Sequence, residues 1–186
     1  MKDLRQWVTE IKSTAGQLTA TAFLESVASE LRSETKMFQG EACLELAEAL
    51  RVKAISVRDA AAAPSEYIAG LLRIAEEKLG DDPLPTMQLA THFFYDSGDA
   101  AAAYPHAIRA FEKSKQQQVL VRQSAGELIR ICLALQRHSE IEAILGYLTQ
   151  YTRRLVRLRL RLNLTFSEIC LLMQLVLLCC RRIRTS

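Results

Sequence analysis

Ser65-Glu66-Tyr67-Ile68-Ala69-Gly70-Leu71-Leu72-Arg73-Ile74-Ala75-Glu76-Glu77-Lys78-Leu79-Gly80-Asp81-Asp82-Pro83 is the stretch whose reading decides the fold. Ile68, Leu71, Leu72, Ala75 and Leu79 recur at spacings of three and four, the signature of one apolar stripe on an α-helix. Pro64 stops whatever precedes, and the Ser65 hydroxyl can accept a hydrogen bond as an N-cap. Gly80 stands where a helix commonly ends in a left-handed residue, and Pro83 lies just beyond. The spacing predicts a helix over residues 66–79, closed at both ends by its own sequence.

The same punctuation repeats on either side. Helices are predicted at about 2–13, at 21–36 with Phe23, Val27 and Leu31 on one face, and at 41–62 with Cys43, Leu46, Leu50 and Val57. Gly16 and Gly40 fall in the predicted breaks. Downstream, helices are expected at 84–96, ending near Ser97-Gly98-Asp99, and from Pro105, a tolerated first-turn proline, to Gln117. A further helix is expected over 119–137. Ser139-Glu140-Ile141-Glu142 has the form of a capping box and would open a helix to Tyr151. Thr165-Phe166-Ser167-Glu168 would open a last one over 166–182. Links this short make successive helices antiparallel. The fold class is therefore all-α, built from antiparallel helix hairpins that either stack as an array or close into an irregular helical bundle.

The 186 residues suit one domain, with only seven Gly and four Pro. The net charge of +3 conceals an asymmetry. From Tyr151 onward there are eight arginines, no lysine and the single acid Glu168, a net +7, so residues 1–150 carry −4. The reading is a helical-repeat domain over 1–151 and a basic, apolar tail over 152–186. Leu155 to Leu164 alternates apolar and basic residues with period two, a strand pattern. Ile169 to Cys180 is apolar except for Gln174. As a helix it would span about 18 Å, short of the ~30 Å hydrocarbon layer. Three readings compete for this tail: a helix over 166–180 that covers the end of the array, a basic element for anionic lipid or nucleic acid, or an atypical terminus unrelated to the body. Cys43, Cys132, Cys170, Cys179 and Cys180 are odd in number and form no C-x-x-C pair. They read as reduced thiols of a cytoplasmic or nuclear protein, in keeping with an N-terminus that lacks the apolar stretch of a signal peptide.

Residues 84–117 resemble a tetratricopeptide repeat. The residues that carry the likeness are Leu84 to Ala90, Phe93, Tyr95, Gly98-Asp99 and the run from Ala107 to Ser114. The resemblance makes Ala107 the small contact residue between paired helices, Phe111 the aromatic one, Ser114 a second small residue and Gly98 part of the turn. Gly98 lies about four residues too early relative to Ala107, so the loop or the second helix is a turn longer than the family pattern, and the proline expected after the second helix is absent. Residues 125–150 give a fainter echo. The family implies a right-handed stack that presents a groove to a peptide or partner helix.

Residues that could carry chemistry have plainer accounts. His92, His106 and His138 have no metal-ligand spacing, and polar surface or half-burial explains them. Glu45 with Glu48, and Glu76 with Glu77, read as solvated helix faces. Gly126 and Gly146 read as sites of close helix packing. Cys179-Cys180 beside Arg181-Arg182 are candidates for a lowered thiol pKa or for lipidation. No nucleophile elbow, zinc-protease motif or phosphate loop occurs. The expectation is a non-catalytic protein–protein interaction module, an adaptor or assembly subunit, with no cofactor and no small-molecule substrate. The alternative is peripheral membrane or nucleic-acid binding through Arg153, Arg154, Arg157, Arg159, Arg161, Arg181 and Arg182.

Overall fold

The computed structural model describes residues 6–9, 11, 18–56 and 65–161. The described residues are helical with short links and contain no strand. The helices are α1 (Ala20–Leu31), α2 (Lys36–Ser56), α3 (Ser65–Leu79), α4 (Pro83–Thr91), α5 (Ala100–Gln117), α6 (Val121–Ala134) and α7 (His138–Arg161). A single π-helical turn, His92–Asp96, prolongs α4. The chain divides into two units, Met1–Ile141 and Glu142–Ser186.

In the first unit the dominant packing is between neighbours in sequence: α2 on α3, α4 on α5, α5 on α6, and α3 on α4. α1 also packs on α3, and α4 on α6. The stripes predicted from spacing form the core. Phe23, Val27 and Leu31 of α1, Cys43, Leu46 and Leu50 of α2, and Ile68, Leu71, Leu72 and Ala75 of α3 are buried together. Trp7 and Ile11 belong to the same cluster, and the Trp7 indole donates to Glu30 at 2.8 Å. Phe23 and Tyr67 pack ring to ring at 4.9 Å, and the Tyr67 hydroxyl donates to the Leu18 carbonyl. Further along the chain the contacts narrow to small residues. Ala103, Ala107 and Ala110 of α5 and Ala125 of α6 are buried, with Phe111, Leu128 and Ile131 filling the remaining volume.

Several boundaries differ from those predicted, each for a local reason. α1 ends at Leu31, and Thr35 begins a new helix, its hydroxyl accepting from the Phe38 amide at 3.3 Å. Gly40 therefore lies inside α2. A methyl group there would sit 2.5 Å from Leu79 Cγ, so the glycine serves contact with α3. Gly70 does the same against Leu24, whose Cδ1 would lie at 2.3 Å. Gly126 and Gly146, read as the packing glycines, have nothing within 4 Å among the described residues. α5 starts at Ala100, not at Pro105, because Asp99 caps it: its Oδ1 accepts from the Ala102 amide at 2.8 Å. The extra turn relative to the repeat pattern thus lies in the helix, and Pro105 sits inside it. Gly80 adopts φ +56, the left-handed conformation its position called for, and Asp82 caps α4 ahead of Pro83.

α7 begins at His138, one residue before the expected capping serine, and the Ile141 amide donates to the Arg137 carbonyl at 3.4 Å. It does not stop at Tyr151 but runs to Arg161. Residues 155–161 are thus helical despite their period-two pattern. In the second unit the Tyr147 and Tyr151 rings stack at 6.2 Å, one turn apart on this helix. The expectations for residues 2–5, 10, 12–17, 57–64 and 162–186 fall outside the described residues. No described helix is long and apolar enough to cross a membrane.

Candidate functional site

The most concentrated polar chemistry of the first unit lies at the π turn, His92-Phe93-Phe94-Tyr95-Asp96. A π turn widens the helix by one residue per turn and is often found at functional sites. Here the Ser97 amide reaches back five residues to the His92 carbonyl at 3.1 Å. His92, read from sequence as surface or half-buried, is 1% exposed. Its buried ring is satisfied on both nitrogens. Nδ1 lies 2.9 Å from Asp96 Oδ2, one helical turn away. Nε2 lies 2.8 Å from the Ser65 hydroxyl and 3.1 Å from the Ser65 carbonyl oxygen, at the start of α3. A carboxylate only accepts, so Asp96 fixes the proton on Nδ1, and Nε2 is left to accept from the Ser65 hydroxyl. Arg51 of α2 brings its Nε to 3.4 Å from the same Asp96 oxygen. Ser97 Oγ lies 3.2 Å from Ser65 Oγ. The cluster ties α2, α3 and the π turn together.

Beside it, the aromatic residues of the π turn point to two surroundings. Phe93 stacks on His106 of α5 with centroids 5.4 Å apart. Burial, first, and the nearby Arg109 and Arg73 cations hold the His106 pKa below the ordinary imidazole value, while Glu76 opposes them. Arg109 also lies 2.8 Å from its Nδ1. His92 and His106 do not converge on a shared site, and no group of three or more metal-ligating side chains gathers among the described residues. Tyr95 is 50% exposed, and its hydroxyl donates to Glu127 of α6 at 3.2 Å. Glu127 pairs in turn with exposed Arg130 at 2.6 Å, and Leu133 on the same helix is 54% exposed. The π turn and α6 therefore bring an aromatic ring, a charge pair and a leucine to the surface.

Two more polar ties join the helices. Glu76 was read with Glu77 as a solvated face, but only Glu77 is open, at 73% against 17%. Glu76 accepts from the Thr86 hydroxyl at 2.9 Å and faces Lys113 at 3.6 Å and Arg109 at 3.7 Å. Lys113 also donates to the Gly80 carbonyl at 2.8 Å, so α3, α4 and α5 meet at one carboxylate. At the next junction Tyr104 donates to Glu140, and the Arg137 guanidinium lies 4.0 Å over the Tyr104 ring. The Tyr104 and Arg137 hydrogen bonds hold the Glu140 carboxyl below its ordinary pKa.

Of the residues singled out by the repeat resemblance, Ala107, Phe111 and Ser114 are buried, and exposed Gly98 has φ +68. The Ser114 hydroxyl is buried with no hydrogen-bond partner among the described residues. Arg153 and Arg154 are exposed, Arg157, Arg159 and Arg161 lie on the helical backbone of α7, and Arg181 and Arg182 fall outside the described residues. Cys43 and Cys132 are free thiols. Burial pushes Cys43 up to about 12, with Lys78 opposing, so it behaves as a core side chain rather than a nucleophile. It borders a small open cleft of about 250 Å³ lined also by Leu31, Arg32, Gln39, Ile74 and Lys78.

Sequence reasoning missed the Ser65–His92–Asp96 contact because 27 residues separate Ser65 from His92. The available signal was the i, i+4 spacing of His92 and Asp96 next to a capping serine. No family model, no curated protein and no solved structure matches this chain.

Proposed function

We propose that the chain is a helical-repeat interaction module, an adaptor or assembly subunit that binds a protein partner through the face of α4 and α6. The observation that carries this reading is the exposed group on that face: Tyr95 with its hydroxyl on Glu127, the Glu127–Arg130 pair, and Leu133. Tyrosine and arginine are among the side chains that dominate protein-recognition energetics. The packing of α2 on α3, α4 on α5 and α5 on α6 supports a tetratricopeptide-like stack, in which the first helices of successive pairs line the recognition face. On this reading α4 and α6 are those first helices, and they touch each other directly.

The test is co-purification of the full chain with quantitative mass spectrometry, alongside a Tyr95→Ala/Leu133→Asp variant. A stoichiometric protein partner that the variant loses, at unchanged melting temperature, supports the reading. A partner retained by the variant refutes the face, and no partner at all refutes the module.

A second reading rests on exposed Arg153 and Arg154 of α7, which have no acidic partner among the described residues. On this reading α7 meets an anionic lipid or nucleic acid. Binding to anionic vesicles or RNA would weaken steeply with salt and fall in an Arg153→Glu/Arg154→Glu variant. Binding that ignores both changes excludes it.

A further inference from the structure

We propose that Ser65 is a base-activated nucleophile that takes an acyl group from an activated ester. The inference is independent of partner recognition and concerns a single stoichiometric transfer, making Ser65 a modification site. Three residues stand in the order that activates a hydroxyl. Ser65 Oγ is 2.8 Å from His92 Nε2, and His92 Nδ1 is 2.9 Å from Asp96 Oδ2. A nucleophile in hydrogen-bond reach of a base, itself oriented by a third group, is the arrangement by which serine attacks carbonyls on unrelated folds. The hydroxyl is on an exposed residue, whereas the imidazole behind it is buried and shielded from water.

The side chains around the imidazole support the role. Asp96 holds the proton on Nδ1, and the Arg51 Nε lies 3.4 Å from the same carboxylate oxygen. The Ser65 carbonyl, 3.1 Å from Nε2, can accept only once Nε2 carries a proton, so it favours the imidazolium that the reaction creates. Ser65 is also the first residue of a 15-residue helix, whose first-turn amides have no intrahelical acceptor and favour negative charge nearby. With p-nitrophenyl acetate as the reagent, Oγ attacks the carbonyl carbon as its proton passes to Nε2. The tetrahedral adduct then collapses, the bond to the nitrophenyl oxygen breaks, and the leaving group takes the proton from Nε2. The products are O-acetyl-Ser65 and nitrophenol, with no oxidant or metal needed.

The experiment exposes the full chain to p-nitrophenyl acetate and follows acetyl occupancy at Ser65 and at exposed Ser33 by peptide mass spectrometry. General-base assistance is worth about 100-fold or more, so Ser65 is expected to react ~100-fold faster than Ser33. Asp96→Asn and His92→Gln should each bring Ser65 toward the Ser33 rate, with Ser33 unchanged. Circular dichroism melting checks that each variant is folded. Should His92→Gln unfold, the wild-type ratio and Asp96→Asn still decide. Equal rates at Ser65 and Ser33 in the wild type, or a folded Asp96→Asn chain at full rate, would overturn the proposal.

Discussion

Two buried serines of the first unit form a matched pair with opposite hydrogen-bond states. Ser114 of α5 is 0% exposed and its hydroxyl has no partner among the described residues. Ser124 of α6 is 1% exposed, but its hydroxyl donates to the Leu120 carbonyl at 3.0 Å or the Val121 carbonyl at 3.2 Å. A buried hydroxyl without a partner costs about 1–3 kcal/mol, and alanine has a helix propensity better than serine by about 0.5 kcal/mol. Both effects favour alanine at 114, so Ser114→Ala should stabilise the fold by about 1.5–3.5 kcal/mol. At 124 the propensity gain opposes the loss of a hydrogen bond worth about 1 kcal/mol, so Ser124→Ala should destabilise by about 0.5 kcal/mol. The Leu120 carbonyl still accepts from the Ser124 amide, so no orphan acceptor is created there. Urea denaturation at constant m-value measures the difference between the two variants, expected at about 2–4 kcal/mol. At about 2–4 °C per kcal/mol the same difference should be visible in melting curves. Equal effects at both sites, or destabilisation by Ser114→Ala, would mean that the Ser114 hydroxyl is satisfied in solution, and the reasoning about α5 packing would fall.

The glycines give a second contrast. Gly126→Ala should stabilise by about 1 kcal/mol from helix propensity alone, whereas Gly40→Ala, forced against Leu79, should destabilise by about 1–3 kcal/mol; chemical denaturation of the two variants checks the opposite signs. Glu140 gives a pH dependence. Its folded pKa is lowered first by Tyr104 and then by Arg137, so its contribution is complete above the unfolded value of about 4.3 and disappears as pH falls through the lower folded value. Melting temperature followed from pH 6 downward should fall less steeply in Glu140→Gln than in the wild type; identical slopes would dissociate Glu140 from this junction.

The parts of the fold legible in the sequence were those fixed by nearest neighbours along the chain. The Phe23–Val27–Leu31 stripe, the 66–79 helix and the left-handed Gly80 followed from spacing and backbone preference, and all three are present. The misread features depend on residues far away or on competing local signals. Gly40 looks like a helix breaker until Leu79 of another helix is placed against it. Pro105 looks like a helix start, but Asp99 caps the chain six residues earlier and the alanines between sustain the helix. The alternation from Leu155 to Arg161 has strand periodicity, yet these residues prolong a helix already under way from His138. At the candidate site, Phe93 and Tyr95 stand out in the sequence only through the repeat likeness. The burial of His92 could not be read from its neighbours, since the group that satisfies its Nε2 sits at the start of a separate helix.

Site-specific photo-crosslinking tests the recognition face most directly. A photoreactive amino acid placed at Tyr95 or Leu133 samples the exposed side of α4 and α6, and one at exposed Gln116 of α5 serves as the control position. The account predicts that Tyr95 and Leu133 capture the same protein, in amounts comparable to the chain itself, and that Gln116 does not. Capture of that protein equally from all three positions, or from Gln116 alone, would contradict it.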